Sequence, residues 1–346
     1  MIARLHFRGP VQYRLASAAA LSRAVLAVSA RRRLRGPRRP AWNWFVEVAT
    51  EFLKAQVNAA CRMPDVANAR RYLDSVVFTS PALSAMRVAD VVHEKFRGCW
   101  FSAENATPPI TLLYFHGGGY CFYPQAYAGF IALITLAAKS RTFAVDYRLT
   151  PEHQFPTQLE DAINAYRWLL ENGTAPDNLI VAGDSAGGHL TLALLLQARD
   201  LKLPLPALAI ALSPPTDFEA ELTGKGEFDW IDEPALLQWR DWICGPAERR
   251  NPLVSPLRAD LHGLPPIYIQ AGRDEILFDS IQAFADRARS QGADVVLESW
   301  EAMTHDFQMF GGDAPQSAEA LRRISEVVDA RFLKRPKQKV SLPTGV

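Results

Sequence analysis

From about residue 108 onward, short runs rich in Val, Ile, Leu and Tyr alternate with stretches whose apolar residues recur every three or four positions. The runs at 111–115, 142–147, 178–182, 207–212, 266–271 and 295–300 are largely apolar, as strands covered on both faces must be. Between them Leu159, Ala162, Ile163, Tyr166 and Leu169 keep helical spacing, with Gly173 at the expected stop. A second helix is predicted from near Ser185 through Leu190 to Ala198. Alternation of this kind predicts a mostly parallel sheet with helices on both faces. Two segments break the rhythm. Residues 1–75 read as helices interrupted at Arg31–Pro40, and residues 215–253 carry Phe228, Trp230, Trp239 and Trp242 just after a strand end. Aromatic insertions at that edge of an α/β sheet often cover a pocket, although each tryptophan could equally anchor a long connection in the core.

Composition narrows the class. The 346 residues, 49% of them hydrophobic and 22% charged, can bury one large core. The net charge of +1 hides an asymmetry: residues 1–46 hold ten arginines and no Asp or Glu, so the other 300 residues carry 1 − 10 = −9. That excess of negative charge argues against nucleic acid as a partner of the body. The Arg-rich N-terminus leaves room for peripheral membrane contact. Cys61, Cys99, Cys121 and Cys244 are far apart, with neither metal-site nor disulfide-scaffold spacing, and are expected to be reduced and buried. No run of about 18 apolar residues is present, which excludes a spanning helix on length. Leu15–Ala30 imitates a signal peptide, but Arg23 interrupts it, and a cytoplasmic location is the expectation.

The chemistry resides in three places. Gly183-Asp184-Ser185-Ala186-Gly187 matches the G-x-S-x-G nucleophile elbow and falls between a predicted strand and a predicted helix, the context the motif requires. There a sharp turn exposes the serine at a helix start, where backbone N–H groups favour developing negative charge. His116-Gly117-Gly118-Gly119 follows the strand at 111–115, 69 residues before Ser185, and matches the loop that supplies an oxyanion hole together with the Ala186 amide. No G-K-[ST] or G-x-G-x-x-G accompanies it, which argues against a phosphate loop. A serine hydroxyl needs a base held in one tautomer by a third group. Of seven histidines, only His305 sits in a loop directly after a late strand; His262 falls at the wrong edge of the sheet. For the acid, Asp274 lies closest to the carboxyl end of the strand at 266–271, with Glu275 and Asp279 as alternatives; Asp279 reads better as a helix N-cap.

Taken in order, His116-Gly117-Gly118-Gly119-Tyr120, Asp146–His153, Gly183–Gly188, Asp274-Glu275-Ile276-Leu277 and His305-Asp306-Phe307 resemble the hormone-sensitive-lipase family of bacterial esterases over about residues 85–333. The resemblance implies an α/β-hydrolase fold with a helical cap. It also implies a triad of Ser185, Asp274 and His305, oxyanion donors at Gly118, Gly119 and Ala186, and loop support from His116 and Gly117. The implied organisation is an N-terminal cap part at 1–75, core at 76–214, a cap insertion at 215–253, core at 254–333 and a basic tail at 334–346. His153 and Glu152 become scaffold. The implied activity is hydrolysis of short-chain acyl esters, a small-molecule substrate class, with no cofactor and no metal; the family often forms homodimers. A deacetylase, lactonase or amidase would use the same residues, and a non-catalytic ligand-binding protein would usually lack one of them. Asp306 departs from the family, which more often has a small or apolar residue there.

Overall fold

The computed structural model describes residues 4–103, 110–220, 222, 226–245 and 248–332; the basic tail predicted from Lys334 lies outside them. The chain runs β1 (Arg4–Phe7), α1 (Val11–Arg35), α2 (Trp44–Cys61), α3 (Val66–Leu73), β2 (Val76–Thr79), α4 (Pro81–Ser84), β3 (Met86–Val92), β4 (Arg97–Ala103) and β5 (Thr111–Phe115). It continues through α5 (Tyr127–Ala137), β6 (Arg141–Val145), α6 (Thr157–Glu171), β7 (Leu179–Asp184), α7 (Ala186–Asp200), β8 (Leu208–Leu212), α8 (Glu233–Ile243), β9 (Ile267–Gly272), α9 (Phe278–Ser290), β10 (Val295–Trp300) and α10 (Pro315–Phe332).

Eight strands form one sheet in the order β10-β9-β8-β7-β5-β6-β4-β3. The six strands from β10 to β6 pair in parallel, and β4 and β3 extend the edge antiparallel. Every residue of β5, β7, β8 and β9 is buried, which explains their unbroken apolar runs. The sequence pattern did not reveal β3 and β4. As an edge hairpin, β3 is almost wholly exposed and carries Arg87 and Asp90, so it lacks the buried-strand signature. The predicted N-cap role of Asp279 is also corrected: Leu277 is the cap residue of α9, and Asp279 lies within its first turn.

The N-terminal helices pack over one end of this sheet. The side chain of Asn43 accepts from the Val46 N–H at 2.9 Å and caps α2. The long α1 ends at Gly36, with Arg32, Arg33 and Arg35 in its last turn, where the helix dipole favours cations. Much of the Arg-rich break is structural: Arg31 and Arg32 converge on the fully buried Glu47 at 2.9 and 3.3 Å, and Arg38 pairs with Glu51 at 2.8 Å. Ala60, Ala69 and Tyr72 from these helices share a hydrophobic cluster with Phe122, Trp230, Ile231 and Trp239, so the N-terminal segment and the α8 region form one layer above the glycine loop. Among the described residues no helix is long and apolar enough to cross a membrane.

Candidate active site

Ser185 caps the N-terminus of α7 with φ 48° and ψ −119°, a backbone conformation that costs a non-glycine residue about 1–3 kcal/mol. The turn is tight enough that a Cβ on Gly187 would overlap the Phe115 carbonyl. The Ser185 N–H donates to Leu212 O at 2.8 Å, tying the elbow to the end of β8. As the first residue of α7, Ala186 has an N–H without an intrahelical acceptor.

Asp184, between the elbow glycine and the serine, anchors the glycine loop. Its carboxyl accepts from Gly117 N–H at 3.1 Å, Tyr114 Oη at 2.5 Å and Tyr127 Oη at 3.0 Å. Burial, reinforced by the Asp306 carboxylate, pushes its pKa up to about 8 against the Tyr114 and Tyr127 hydroxyls and the His305 charge. Gly118 and Gly119 have φ of +99° and +60°, and Gly119 lies so close to the Trp239 indole that a Cβ there would meet the ring. His116 is stacked between Tyr123 and Tyr147, at centroid distances of 3.7 and 4.1 Å. Its Nδ1–H donates to Gly117 O at 2.7 Å, and burial lowers its pKa to about 3, so the ring is a neutral brace.

The structure gives the two adjacent acids, Asp274 and Glu275, different partners. Asp274 faces the N-terminal segment, with its Oδ2 2.9 Å from Arg39 Nε and its Oδ1 accepting from Arg39 Nη2 at 3.1 Å. The neighbouring Glu275 is fully buried, and its Oε2 is 3.4 Å from His305 Nδ1. In the turn after β9 the Asp274 N–H donates to Met303 O at 3.0 Å and its side chain meets Arg39, while the next side chain, Glu275, enters the buried side against His305. Burial raises the Glu275 pKa to about 7, with the His305 charge acting in the opposite direction.

His305 is fully buried, and its other nitrogen, Nε2, is 3.2 Å from Asp306 Oδ2. Burial disfavours the imidazolium, but the Asp306 and Glu275 carboxylates outweigh it and hold the His305 pKa well above the ordinary histidine range. Neither ring nitrogen makes a well-aligned hydrogen bond. The histidine loop meets the elbow through β8: the Asp306 N–H donates to Ser213 Oγ at 3.2 Å, one residue beyond the carbonyl that holds Ser185.

Asp229, which the sequence did not single out, ties the two loops together. Its Oδ1 accepts from His305 N–H at 3.1 Å and Trp230 N–H at 2.8 Å, and its Oδ2 accepts from Ile276 N–H at 3.1 Å. Trp230 Nε1–H donates to His305 O at 2.6 Å, with its ring 5.5 Å from the imidazole. An isolated Asp in an aromatic-rich connection gives no local signal of such a role. The pocket before Ser185 is lined by Gly119, Ala186, Phe218, Leu222, Leu236, Trp239 and Leu277 among others, mostly apolar side chains. His262 is exposed and pairs with Asp260 at 2.6 Å, and Glu152 pairs with Arg70 at 2.7 Å.

The model of a family described by its alpha/beta hydrolase fold matches residues 112–309. The chain is 38% identical over 216 residues to an acetyl-hydrolase of Streptomyces hygroscopicus, covering 61% of this chain and 72% of that one. It is 30% identical over 292 residues to an esterase of Acinetobacter venetianus, covering 82% and 95% respectively. The crystal structure of EstE5 soaked with p-nitrophenyl butyrate superposes with a TM-score of 0.74 at 32% identity, over 82% of this chain and 98% of that chain. An esterase of the bacterial hormone-sensitive lipase family gives 0.73 at 31% identity, over the same shares. The chain belongs to the alpha/beta hydrolase family, of the hormone-sensitive-lipase type.

Proposed function

We propose that the protein is a serine carboxylesterase that hydrolyses short-chain acyl esters, with Ser185 as nucleophile, His305 as base and Glu275 as the residue that orients the base. The observation that carries this reading is the strained Ser185 at the head of α7, on the same sheet edge as a buried His305 whose Nδ1 faces Glu275. The His305 imidazole takes the Ser185 Oγ proton as oxygen attacks the ester carbonyl, forming the tetrahedral adduct. The amides of Gly118, Gly119 and Ala186 receive the oxyanion. The adduct collapses as His305 returns the proton to the leaving alcohol, and water, deprotonated by the same imidazole, then releases the acid. Asp274, expected from the sequence to be the acid, is instead assigned to the cap through Arg39.

The preference for short acyl chains is supported by the Trp239, Phe218 and Leu236 walls and by relatives named as acetyl-hydrolase and esterase. A cytoplasmic location fits the four unpaired thiols. Hydrolysis of p-nitrophenyl esters from acetate to palmitate tests the reading. Short esters should be cleaved fastest, and Ser185→Ala should lose more than about 10⁴-fold in kcat. Faster cleavage of palmitate than of butyrate contradicts the chain-length reading, and full activity of Ser185→Ala contradicts the nucleophile.

A further inference from the structure

Ten large apolar side chains are strongly exposed among the described residues, and five of them are on or against α1. Val11, Leu15, Leu26 and Leu34, at 64, 66, 69 and 83% exposure, belong to the helix. The fifth, Trp44, donates its Nε1–H to Ser29 Oγ at 3.1 Å and so lies along the helix flank. The opposite face of α1 is the packed one, with Ser17, Ala20, Ala24 and Val28 buried. At 3.6 residues per turn, Val11, Leu15 and Leu26 fall within about 60° of one another on the outer face.

Charge complements this row. Arg14 and Arg23 flank it on either side, Arg33 continues it and Arg35 closes the helix; all four are exposed. Arg31, Arg32, Arg38 and Arg39 are engaged by Glu47, Glu51 and Asp274. No carboxylate pairs with Arg14, Arg23, Arg33 or Arg35 among the described residues, and residues 1–46 contain no acid that could. The other 300 residues together carry −9, so an anionic surface is attracted more strongly to this helix than to the rest of the chain taken as a whole.

We propose that the outer face of α1 docks the protein on a bilayer rich in anionic lipid, independently of the catalytic assignment. Leu15, Leu26 and Val11 enter the boundary between headgroups and acyl chains, the four unpaired arginines meet lipid phosphates, and Trp44 takes the interfacial level that indoles favour. A second copy of this chain is a poorer occupant, because pairing two such faces brings like charges together. A polyanion alone leaves the apolar row unexplained.

Cosedimentation of the full chain with vesicles of phosphatidylcholine, or of phosphatidylcholine mixed with phosphatidylglycerol, tests this. Wild type should pellet with the mixed vesicles at low salt, stay in the supernatant with phosphatidylcholine alone, and be released by about 0.5 M salt. The combined variant Arg14→Glu/Arg23→Glu/Arg33→Glu/Arg35→Glu should bind at least about 100-fold more weakly. Leu15→Ser/Leu26→Ser should lose about 10-fold or more. Both should keep the wild-type circular dichroism spectrum and melting temperature, which separates lost docking from lost folding. Wild type that ignores anionic vesicles overturns the proposal, as does binding untouched by charge reversal. Two further outcomes also overturn it: a dimer dissociated by the leucine variant without vesicle binding, and binding unaffected by the loss of the leucines.

Discussion

The two halves of the active site are held by different means. On one side, Ser185 and the His116–Gly119 loop are fixed mainly by the core: a strained elbow, glycines against carbonyls and rings, and the Asp184 carboxyl beneath Gly117. On the other, His305 and Glu275 sit in loops tied down by groups distant in sequence, including Asp229, Trp230, Arg39 and Trp42, whose Nε1–H donates to Ala302 O. Disturbing the first half damages chemistry directly, and only Gly119, which lies against Trp239 of α8, carries the disturbance into the layer above. Disturbing the second couples cap packing to the protonation and orientation of the histidine.

Three substitutions sharpen this contrast, in descending order of expected effect. Gly119→Ala, on the core-held side, forces a Cβ against Trp239 at a left-handed backbone position. It should lower kcat by about 100-fold or more by displacing an oxyanion donor. Near-wild-type turnover would remove that loop from the reaction.

Asp306→Asn acts on the second half and reads out in pH rather than in rate at the optimum. His305 works as a base only when neutral, and the Asp306 and Glu275 carboxylates hold its pKa well above the usual range. The acid limb of kcat/KM in wild type therefore lies at higher pH than an ordinary histidine would give. Removing the Asp306 charge withdraws support from the imidazolium and should move that limb to lower pH. A limb that stays in place would mean that the 3.2 Å approach of Asp306 to Nε2 has no electrostatic consequence.

Arg39→Ala should have the smallest effect. The Arg39–Asp274 pair is partly exposed, and such pairs contribute about 1 kcal/mol or less. Melting temperature should drop by about 2 °C or less and kcat should change less than about 3-fold. A large loss of activity would make the cap latch part of the catalytic geometry.

The same contrast governs what the sequence could reveal. The elbow and the glycine loop are local: each motif contains the residues that impose its geometry, next to strands whose burial on both faces writes an apolar run. β3 left no such run because it is the exposed edge, and β4, paired on both sides, is fully buried only at Gly98 and Phe101. The choice between Asp274 and Glu275 is not local. Two adjacent acids in one loop differ only in which way each side chain turns: Asp274 meets Arg39, 235 residues away, and Glu275 meets His305. Asp229 is likewise legible only once the chain has folded, since two of the three amides it accepts from are 47 and 76 residues away.

In the proposed mechanism the buried Glu275, not the neighbouring Asp274 paired with Arg39, orients His305. The most direct test is kcat/KM on p-nitrophenyl butyrate for Glu275→Gln beside Asp274→Asn, with circular dichroism to establish that both fold. The account predicts a loss of about 10³-fold or more for Glu275→Gln, because the histidine loses its tautomer control, and less than about 10-fold for Asp274→Asn. The reverse order of losses would contradict it and return the acid to Asp274.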